Sequence, residues 1–472
     1  MKYETVCGLE VHAELSTKTK VFCSCTTAFG GEPNTHCCPV CLGLPGSLPV
    51  LNERVVEYAL RCGLALHSEI TRRSCFDRKN YFYPDLPKAY QISQLYLPIC
   101  RGGYVTVHDT VHGGMKRVHL HEIHIEEDAG KLVHQHGKTL VNYNRAGVPL
   151  LEIVSEPELA NGEEAAEYTE RLKEILQFCG ISDCKMQEGS LRADVNVSVR
   201  EVGSTVFGTR TEMKNLASLK AIKTAVDTEA KRQSALLSQG KTVVQQTRRW
   251  DEQKNASFAM RSKEEAHDYQ YFPEPDLPPL VITDDDISAV RATLPELPEA
   301  KRLRYVEALG LSDYDAAVLC AEPATAALFE ETLAMTNNPK MTANWMMGEV
   351  MMLQKEGGGT VSPASLGAVI NAVMKGEITR ESGKEVLAAA YRNGAVPAEY
   401  IQAHGLKTVQ DSALLLATVR TVLSESEKAV TEYRAGKEKS FNFLLGQCMK
   451  RLQGKADAAA IRTILKEELG TQ

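Results

Sequence analysis

Alternating apolar and polar residues predict β-strands in the first 280 residues of the chain. The alternation is clear over residues 5–12 and again over residues 191–199. Apolar residues at helical spacing follow Asn161, which we expect to cap a helix, and a second helical pattern covers residues 219–237. The region is therefore expected to mix strands with a few helices.

The pattern changes after residues 271–279, where four prolines in nine residues exclude the interior of a helix. Sequence rich in Ala, Leu, Glu and Lys then predicts helices, and another helical unit begins near residue 407. We predict an α+β fold with three domains. They are a strand-rich domain over residues 1–290, an all-helical domain over residues 291–405 and a small helical tail over residues 406–472.

Composition narrows the protein class. The 472 residues are 43% hydrophobic and 24% charged, which is typical of globular proteins and unlike disordered chains. No run of about 20 apolar residues predicts a membrane span, and no leader pattern precedes the first strand, so we expect a cytoplasmic protein without a membrane partner. The net charge of −7 argues against a generally basic surface, yet residues 407–472 carry eleven basic and eight acidic residues. This tail is a candidate site for binding an anionic partner.

Five of the thirteen cysteines fall within residues 23–41. They include a Cys-x-Cys pair and a Cys-x-x-Cys pair on either side of a turn: Cys23, Cys25, Cys38 and Cys41. In a reducing compartment such paired thiols favour a structural zinc site, since Zn²⁺ takes four soft ligands tetrahedrally. His36 and Cys37 remain spare candidates for the fourth ligand. The alternatives are buried cysteines or a redox pair.

Acidic residues form a second group of candidates. Glu10 and His12 lie two apart on a predicted strand and therefore share a face. Further carboxylates stand where a strand would ordinarily be apolar, or are crowded into a predicted turn: Glu152, Asp194, Glu212 and residues 126–128. Each acid alone is more commonly solvated or salt-bridged. Together they predict a metal-dependent phosphate site, because Mg²⁺ prefers oxygen ligands and often bridges carboxylates to phosphates.

Basic residues alternate with aromatic ones over residues 77–85, ahead of Lys88 and Tyr90. This combination suits a ligand that carries phosphate or a nucleotide, through charge and stacking. The alternative is an aromatic strand with basic neighbours that reach the solvent. The chain has neither a P-loop nor a Gly-x-Gly-x-x-Gly motif, so a nucleotide would be bound in another way.

Eight motifs resemble, in the same order, those of the GatB family, the B subunits of aspartyl/glutamyl-tRNA amidotransferases. They are GLEVH (8–12), CPVCLG (38–43), DRKNYFYPD (77–85), EEDAGK (126–131), LEIVSEP (151–157), EGSLR (188–192), YFPEPD (271–276) and FLLGQ (443–447). The resemblance implies a cradle-shaped catalytic domain, a helical domain and a tail that touches tRNA.

The resemblance also implies a reaction and a heterotrimer of three different subunits. The B subunit would use ATP and Mg²⁺ to phosphorylate the side-chain carboxylate of Glu-tRNA(Gln) or Asp-tRNA(Asn). The A subunit would then supply ammonia to form the amide, and the small C subunit would hold the other two together. The alternative is a non-catalytic, zinc-containing protein that only binds tRNA.

Residue roles follow by position from the resemblance. The implied magnesium ligands are His12, Glu127 and Glu152. The residues implied to line the same pocket, with a second cation or a water, are Glu10, Asp194 and Glu212. The residues implied to meet the phosphates or the substrate are Lys79, Tyr81 and Tyr83. In the tail, the lysines predicted to contact tRNA phosphates are Lys437, Lys439, Lys450 and Lys455.

Overall fold

The structure is a computed structural model that describes residues 3–262, 269–408, 412–452 and 455–470. The chain divides into two compact units, residues 1–298 and residues 299–472. Strands lie in the first unit, and the second is helical, which confirms the predicted α+β class. Within the described ranges, no helix has both the length and the hydropathy needed to cross a bilayer.

A ten-stranded sheet is the centre of the first unit. Its order is β15-β14-β13-β12-β1-β11-β8-β6-β2, with β7 also paired to β8, and every pair is antiparallel except β13 with β14. The strands of this sheet are β1 (Tyr3–Glu14), β2 (Glu69–Ile70), β6 (Cys100–Arg101), β7 (Tyr104–His108), β8 (Met115–Glu127), β11 (Pro149–Ser155), β12 (Leu191–Glu201), β13 (Thr211–Leu216), β14 (Gln246–Asp251) and β15 (Ala256–Ser262).

Smaller sheets and four helices complete the unit. The short strands are β3 (Arg73–Ser74), β4 (Asp77–Asn80), β5 (Tyr90–Ser93), β9 (Lys131–Gln135), β10 (Lys138–Asn142), β16 (Phe272–Pro273) and β17 (Leu280–Val281). The helices are α1 (Glu53–Ala65), α2 (Gly162–Phe178), α3 (Leu219–Ser238) and α4 (Asp284–Ala292). Strand β16 pairs with β4, so the proline-rich segment is extended, as predicted.

The two faces of the large sheet differ in chemistry because side chains alternate along each strand. Apolar residues such as Leu9, Val11 and Ile153 are fully buried and pack in one core with residues of α2 and α3, including Leu172 and Ile222. The residues between them project from the opposite side and are mostly charged. We call this second side the polar face and define it by Glu10, His12, Glu14, Glu122, His124, Glu126, Glu152, Asp194, Asn196, Glu212 and Lys214.

Helix α2 begins as the sequence predicts, with the Asn161 side chain accepting a hydrogen bond from the Glu164 N–H. The Glu164 side chain is fully buried, forms a 2.7 Å ion pair with Lys116 and accepts a hydrogen bond from the Ala160 N–H. Burial would raise the pKa of Glu164, but these contacts outweigh it and lower the pKa below its usual value. The ion pair therefore ties the start of α2 to β8.

Replacing Glu164 with Gln should reduce the free energy of unfolding by about 3 kcal/mol, since it leaves Lys116 without its charged partner. Because the folded-state pKa is lowered, this contribution is present above the unfolded pKa and is lost as pH falls through the folded pKa. Urea unfolding followed by Trp250 fluorescence at pH 7 and at acid pH measures both effects. The neighbouring variant Glu163→Gln, at an exposed 3.2 Å ion pair with Lys223, should change stability by less than about 0.5 kcal/mol. Equal losses in the two variants would contradict this account.

The second unit is built from helices around two separate hydrophobic clusters, one over residues 305–406 and one over residues 415–469. Its helices are α5 (Pro298–Glu307), α6 (Asp313–Leu319), α7 (Pro323–Thr336), α8 (Pro339–Trp345), a π-helix (Met346–Val350), α9 (Met351–Glu356), α10 (Pro363–Met374), α11 (Arg380–Asn393), α12 (Pro397–Ala403), α13 (Ser412–Glu425), α14 (Glu427–Arg434), α15 (Glu438–Arg451) and α16 (Ala458–Gly470). The three-domain division at residues 290 and 405 stays a prediction.

Candidate functional site

Strand pairing brings distant polar residues together on the polar face. His12 of β1 lies opposite Glu152 of β11, and Glu152 in turn lies opposite His124 of β8. On the other side of β1, Glu10 lies opposite Asp194 of β12. Directly opposite residues of antiparallel strands share a face, so four strands contribute to one surface. This arrangement needs no loop to position the side chains.

Three of these residues form a group that could hold a metal ion. Ligand atoms of His12, Glu126 and Glu152 all lie within 4.8 Å of one another. His12 Nε2 is 3.4 Å from Glu126 Oε1 and 3.5 Å from Glu152 Oε2, and His124 Nε2 is 2.7 Å from Glu152 Oε2. Two carboxylates and an imidazole are donors that suit Mg²⁺ or Mn²⁺.

The electrostatics of this group also favour a cation. Burial and the neighbouring Glu152 raise the pKa of Glu126. Burial would lower the pKa of His12, but its hydrogen bond with Glu152 and the nearby acids raise it to about 9. The pair of buried acids is thus balanced by a positively charged imidazolium. A divalent cation in this position would supply the same balance, so the residues fit a metal ion.

The structure corrects the expected position of Glu127. Its predecessor Glu126 faces His12, while Glu127 projects to the other side of β8, accepts a 2.9 Å hydrogen bond from the Ile92 N–H and pairs with Lys88. There it lines a separate cavity of about 220 Å³, together with Cys41. The reason is that both residues belong to strand β8, which ends at Glu127, and not to the turn predicted at residues 126–128. Neighbours on a strand point in opposite directions.

A second group on the polar face contains the other predicted acids. Lys214 Nζ lies 2.6 Å from Asp194 Oδ2 and 2.9 Å from Glu212 Oε1. Glu212 also accepts a hydrogen bond from the Thr247 hydroxyl at 2.7 Å. The Glu10 carboxylate accepts a 2.9 Å hydrogen bond from the Asn196 amide, and burial followed by the charge of Glu152 raises the pKa of Glu10. Glu10 therefore lies between the two groups.

Aromatic residues from two distant parts of the chain lie beside the first group. The ring of Tyr269 is 5.8 Å from that of Tyr81 and 6.2 Å from that of Tyr271, and Lys79 Nζ is 5.0 Å from the Tyr269 ring centre. Burial raises the pKa of Tyr271, and the charges of Glu152 and Glu126 raise it further. Tyr83 is largely exposed and has no part in this ring cluster. Of the three residues predicted to meet substrate, Lys79 and Tyr81 lie beside the metal-binding group.

Sequence reasoning missed several residues of the site. His124 and Glu126 are two apart on one strand, the same spacing that identified Glu10 and His12. Glu212 and Lys214 show this spacing as well, so alternation could have found all of these residues. Tyr269 and Tyr271 carried no such signal, because the pairing of β16 with β4 brings them near the site across about 190 residues.

The predicted cysteine cluster is present. Sulfur atoms of Cys23, Cys25, Cys38 and Cys41 all lie within 4.8 Å of one another, a spacing that fits a tetrahedral zinc ion. The Cys38 N–H donates to Cys41 Sγ at 3.2 Å, and the buried Lys20 ammonium lies 3.6 Å from the same sulfur. A hydrogen bond from the Cys23 thiol, assisted by these donors, lowers the pKa of Cys41 to about 4. The cluster therefore already favours one thiolate ligand.

The spare zinc candidates lie outside this group. The Cys37 sulfur is 3.9 Å from Asn144 Oδ1, and the His36 N–H donates to the same oxygen at 3.0 Å. Asn144 holds this segment in place through its side chain. The four ligands are thus selected by geometry that the spacing alone left open.

In the tail, three of the four predicted lysines are exposed. Lys439 and Lys450 lie on α15, eleven residues apart, which places them on the same side of the helix. Lys437 precedes α15 and lies 3.5 Å from Glu432, whereas Lys455 is half-buried. The exposed Phe443 lies between Lys439 and Lys450 along the helix.

Comparison with known proteins gives a consistent result. The family described as the GatB/GatE catalytic domain matches residues 5–288, and the GatB domain matches residues 327–469. The aspartyl/glutamyl-tRNA(Asn/Gln) amidotransferase B subunit of Lachnoclostridium phytofermentans is 53% identical over 474 residues and is covered to 99%, as is this chain. The B subunit of Caldicellulosiruptor saccharolyticus is 52% identical over 479 residues with the same coverage. That of Thermoanaerobacter pseudethanolicus is 51% identical over 475 residues, 99% of this chain and 100% of the relative.

Proposed function

This chain belongs to the GatB family of aspartyl/glutamyl-tRNA(Asn/Gln) amidotransferase B subunits, and we propose that it phosphorylates the side-chain carboxylate of Glu-tRNA(Gln), Asp-tRNA(Asn) or both. The partners are the A and C subunits, and the complex acts in the cytoplasm. The γ-phosphoryl group of ATP is transferred to a carboxylate oxygen, which gives an acyl phosphate and ADP. Ammonia from the A subunit then attacks the acyl carbon, phosphate leaves with the C–O electron pair, and the amide forms after loss of a proton.

The group formed by His12, Glu126 and Glu152 is the observation that carries this proposal. A carboxylate is a poor electrophile, and its reaction with ATP brings two anions together. Magnesium bound by these residues would neutralise phosphate charge and orient the transferring group. The protein itself contributes position, since all three side chains project from strands of a rigid sheet.

The aromatic cluster is proposed to bind the substrate end of the site. Lys79 offers an ammonium group for phosphate or carboxylate oxygens, and Tyr81 and Tyr269 offer ring faces for a base. Tyr83, being exposed, is proposed to contact the tRNA end further out. Burial of Tyr271 against the acids limits access of bulk water, which protects an acyl phosphate from hydrolysis.

The proposed role of the cysteine group is structural. Zinc bound by Cys23, Cys25, Cys38 and Cys41 would fix the loop that follows β1, because four-thiolate sites leave no open position for catalysis. Reaction chemistry is therefore assigned to the polar face alone.

The proposal is tested with the assembled complex of all three subunits. Both misacylated tRNAs are supplied with ATP, Mg²⁺ and glutamine, and the released amino acid is identified. We expect conversion of glutamate to glutamine, of aspartate to asparagine, or both, only when all three reagents are present. Amide formation without ATP, or its absence with every reagent, would overturn the proposal. Full turnover after loss of the acidic group would favour the non-catalytic protein that only binds tRNA.

The tail lysines are proposed to contact tRNA phosphates. Replacing Lys437, Lys439, Lys450 and Lys455 with Gln should weaken tRNA binding and reduce the slope of log K against log salt by about 0.7–0.9 for each phosphate that is no longer neutralised. Filter binding of tRNA to the complex at several salt concentrations measures the slope. An unchanged slope would remove the tail from the interface. Lys384→Gln, at a lysine paired with Glu381 in the same unit, is the matched control.

A further inference from the structure

Lys214 stands where the sequence predicted a second metal ion or a water. Its ammonium group lies between Asp194 Oδ2, at 2.6 Å, and Glu212 Oε1, at 2.9 Å. Burial would lower the pKa of Lys214, but the two carboxylates outweigh it and raise the pKa, so the side chain stays charged. The second acidic group thus contains its own cation.

A divalent ion in the same place would be disfavoured. The two carboxylates are already neutralised by Lys214 and by hydrogen bonds, and an ion a few ångströms from an ammonium group would be repelled. Binding a metal there would require Lys214 to leave its two partners. The polar face therefore provides one group suited to a divalent ion, at His12, and one occupied by a lysine.

Lys214 can still bind another oxygen. An ammonium group has three N–H donors, and only two have acceptors among the residues that the structure describes. The side chain is 36% exposed, so the third donor is open to the polar face. Strands β13 and β1 are separated by β12, which places Lys214 roughly 10 Å from the group at His12. A polyphosphate chain can span that distance.

We propose that Lys214 binds an oxygen of the nucleotide's polyphosphate and takes the place of a second divalent cation in the phosphoryl-transfer site. This inference rests on the proposed function and adds the cation that the reaction needs beside the single metal group. Fixed positive groups around the transferring phosphate are a general requirement, because charge develops on its oxygens in the transition state. Asp194 and Glu212 are then positioning residues that hold the ammonium group.

The test uses Lys214→Met and Lys214→Arg in the assembled complex with the A and C subunits. We expect Lys214→Met to lower the rate of ATP-dependent phosphorylation about 100-fold and to weaken binding of a non-hydrolysable ATP analogue. Lys214→Arg, which keeps the charge, should recover at least part of both. The matched control is Lys185→Met, because Lys185 also lies between two acids, 3.2 Å from Glu188 and 3.5 Å from Asp183, at an exposed site.

A second readout does not depend on turnover. Mn²⁺ binding to the tRNA-free complex, followed by electron paramagnetic resonance, should give one ion at the polar face of the wild type and two in Lys214→Met, since Asp194 and Glu212 lose their counter-ion. If Lys214→Met does not fold, Lys214→Gln is read in the same way. Two ions in the wild type, or phosphorylation by the folded neutral variant within threefold of wild type, would overturn the inference. Wild-type complex without any ATP-dependent phosphorylation of misacylated tRNA would instead overturn the proposed function.

Discussion

Replacing Glu126 with Gln should lower ATP-dependent phosphorylation of misacylated tRNA about 1,000-fold or more while leaving the affinity for tRNA within twofold. The substitution keeps the shape of the side chain but removes one of the two carboxylates near His12, at 3.4 Å. Loss of a hard oxygen ligand weakens binding of Mg²⁺ and removes the orientation of the phosphate that it would provide. Single-turnover kinetics and Mn²⁺ titration of the complex measure the two effects.

Stability should move in the opposite direction. Burial and the charge of Glu152 raise the pKa of Glu126 in the folded protein, so its ionised form is less favourable there than in the unfolded chain. This cost grows as pH rises from the unfolded pKa through the folded one, and a neutral amide avoids it. We expect the metal-free Glu126→Gln protein to be as stable as the wild type or more stable at pH 7. Lost activity with retained stability separates a functional role from a structural one.

The adjacent substitution Glu127→Gln is the matched control. It breaks the buried pair with Lys88 and should destabilise the first unit by about 3 kcal/mol, yet it should leave Mn²⁺ affinity unchanged. The two consecutive residues therefore have opposite signatures. Loss of Mn²⁺ binding in Glu127→Gln with retention in Glu126→Gln would restore the ligand set implied by the sequence.

Replacing Cys38 with Ser should remove zinc from the protein and lower its stability by about 3 kcal/mol or more. The free energy of binding a structural zinc ion adds directly to folding, and Cys38 also positions Cys41 through a 3.2 Å hydrogen bond from its N–H. Elemental analysis gives the metal content, and chemical unfolding followed by Trp250 fluorescence gives the stability. Addition of a strong chelator to the wild type should reproduce the loss.

Cys37→Ser provides the control for this prediction, because the Cys37 sulfur lies against Asn144 and outside the four-sulfur group. It should retain one equivalent of zinc and most of the stability. A full equivalent of zinc in Cys38→Ser, or its loss in Cys37→Ser, would show that the ligands are assigned wrongly.

Much of the fold follows from periodicity. Alternation predicted β1 and β12 because one side of each strand is buried against α2 and α3, so every second residue must be apolar. The same rule explains why Glu10 and His12 share a face. Helices α2 and α3 were predicted from apolar spacing and, for α2, from the Asn161 cap.

The remainder depends on pairing between distant segments. Residues 126–128 resemble a turn because three consecutive acids give no alternation, and only the pairing of β8 with β11 determines that Glu126 faces Glu152. The position of Tyr269 depends on a segment that follows Tyr81 by about 190 residues. Lys214 was overlooked because only acids were considered, although a lysine is an equally good counter-charge for Asp194 and Glu212.

The most direct test of the account is a rapid-quench experiment on the complex with γ-labelled ATP and Glu-tRNA(Gln), with glutamine left out. The account predicts a burst of about one ADP per complex that requires Glu-tRNA(Gln) and Mg²⁺, and no burst in Glu126→Gln. A burst of equal size in Glu126→Gln would contradict it.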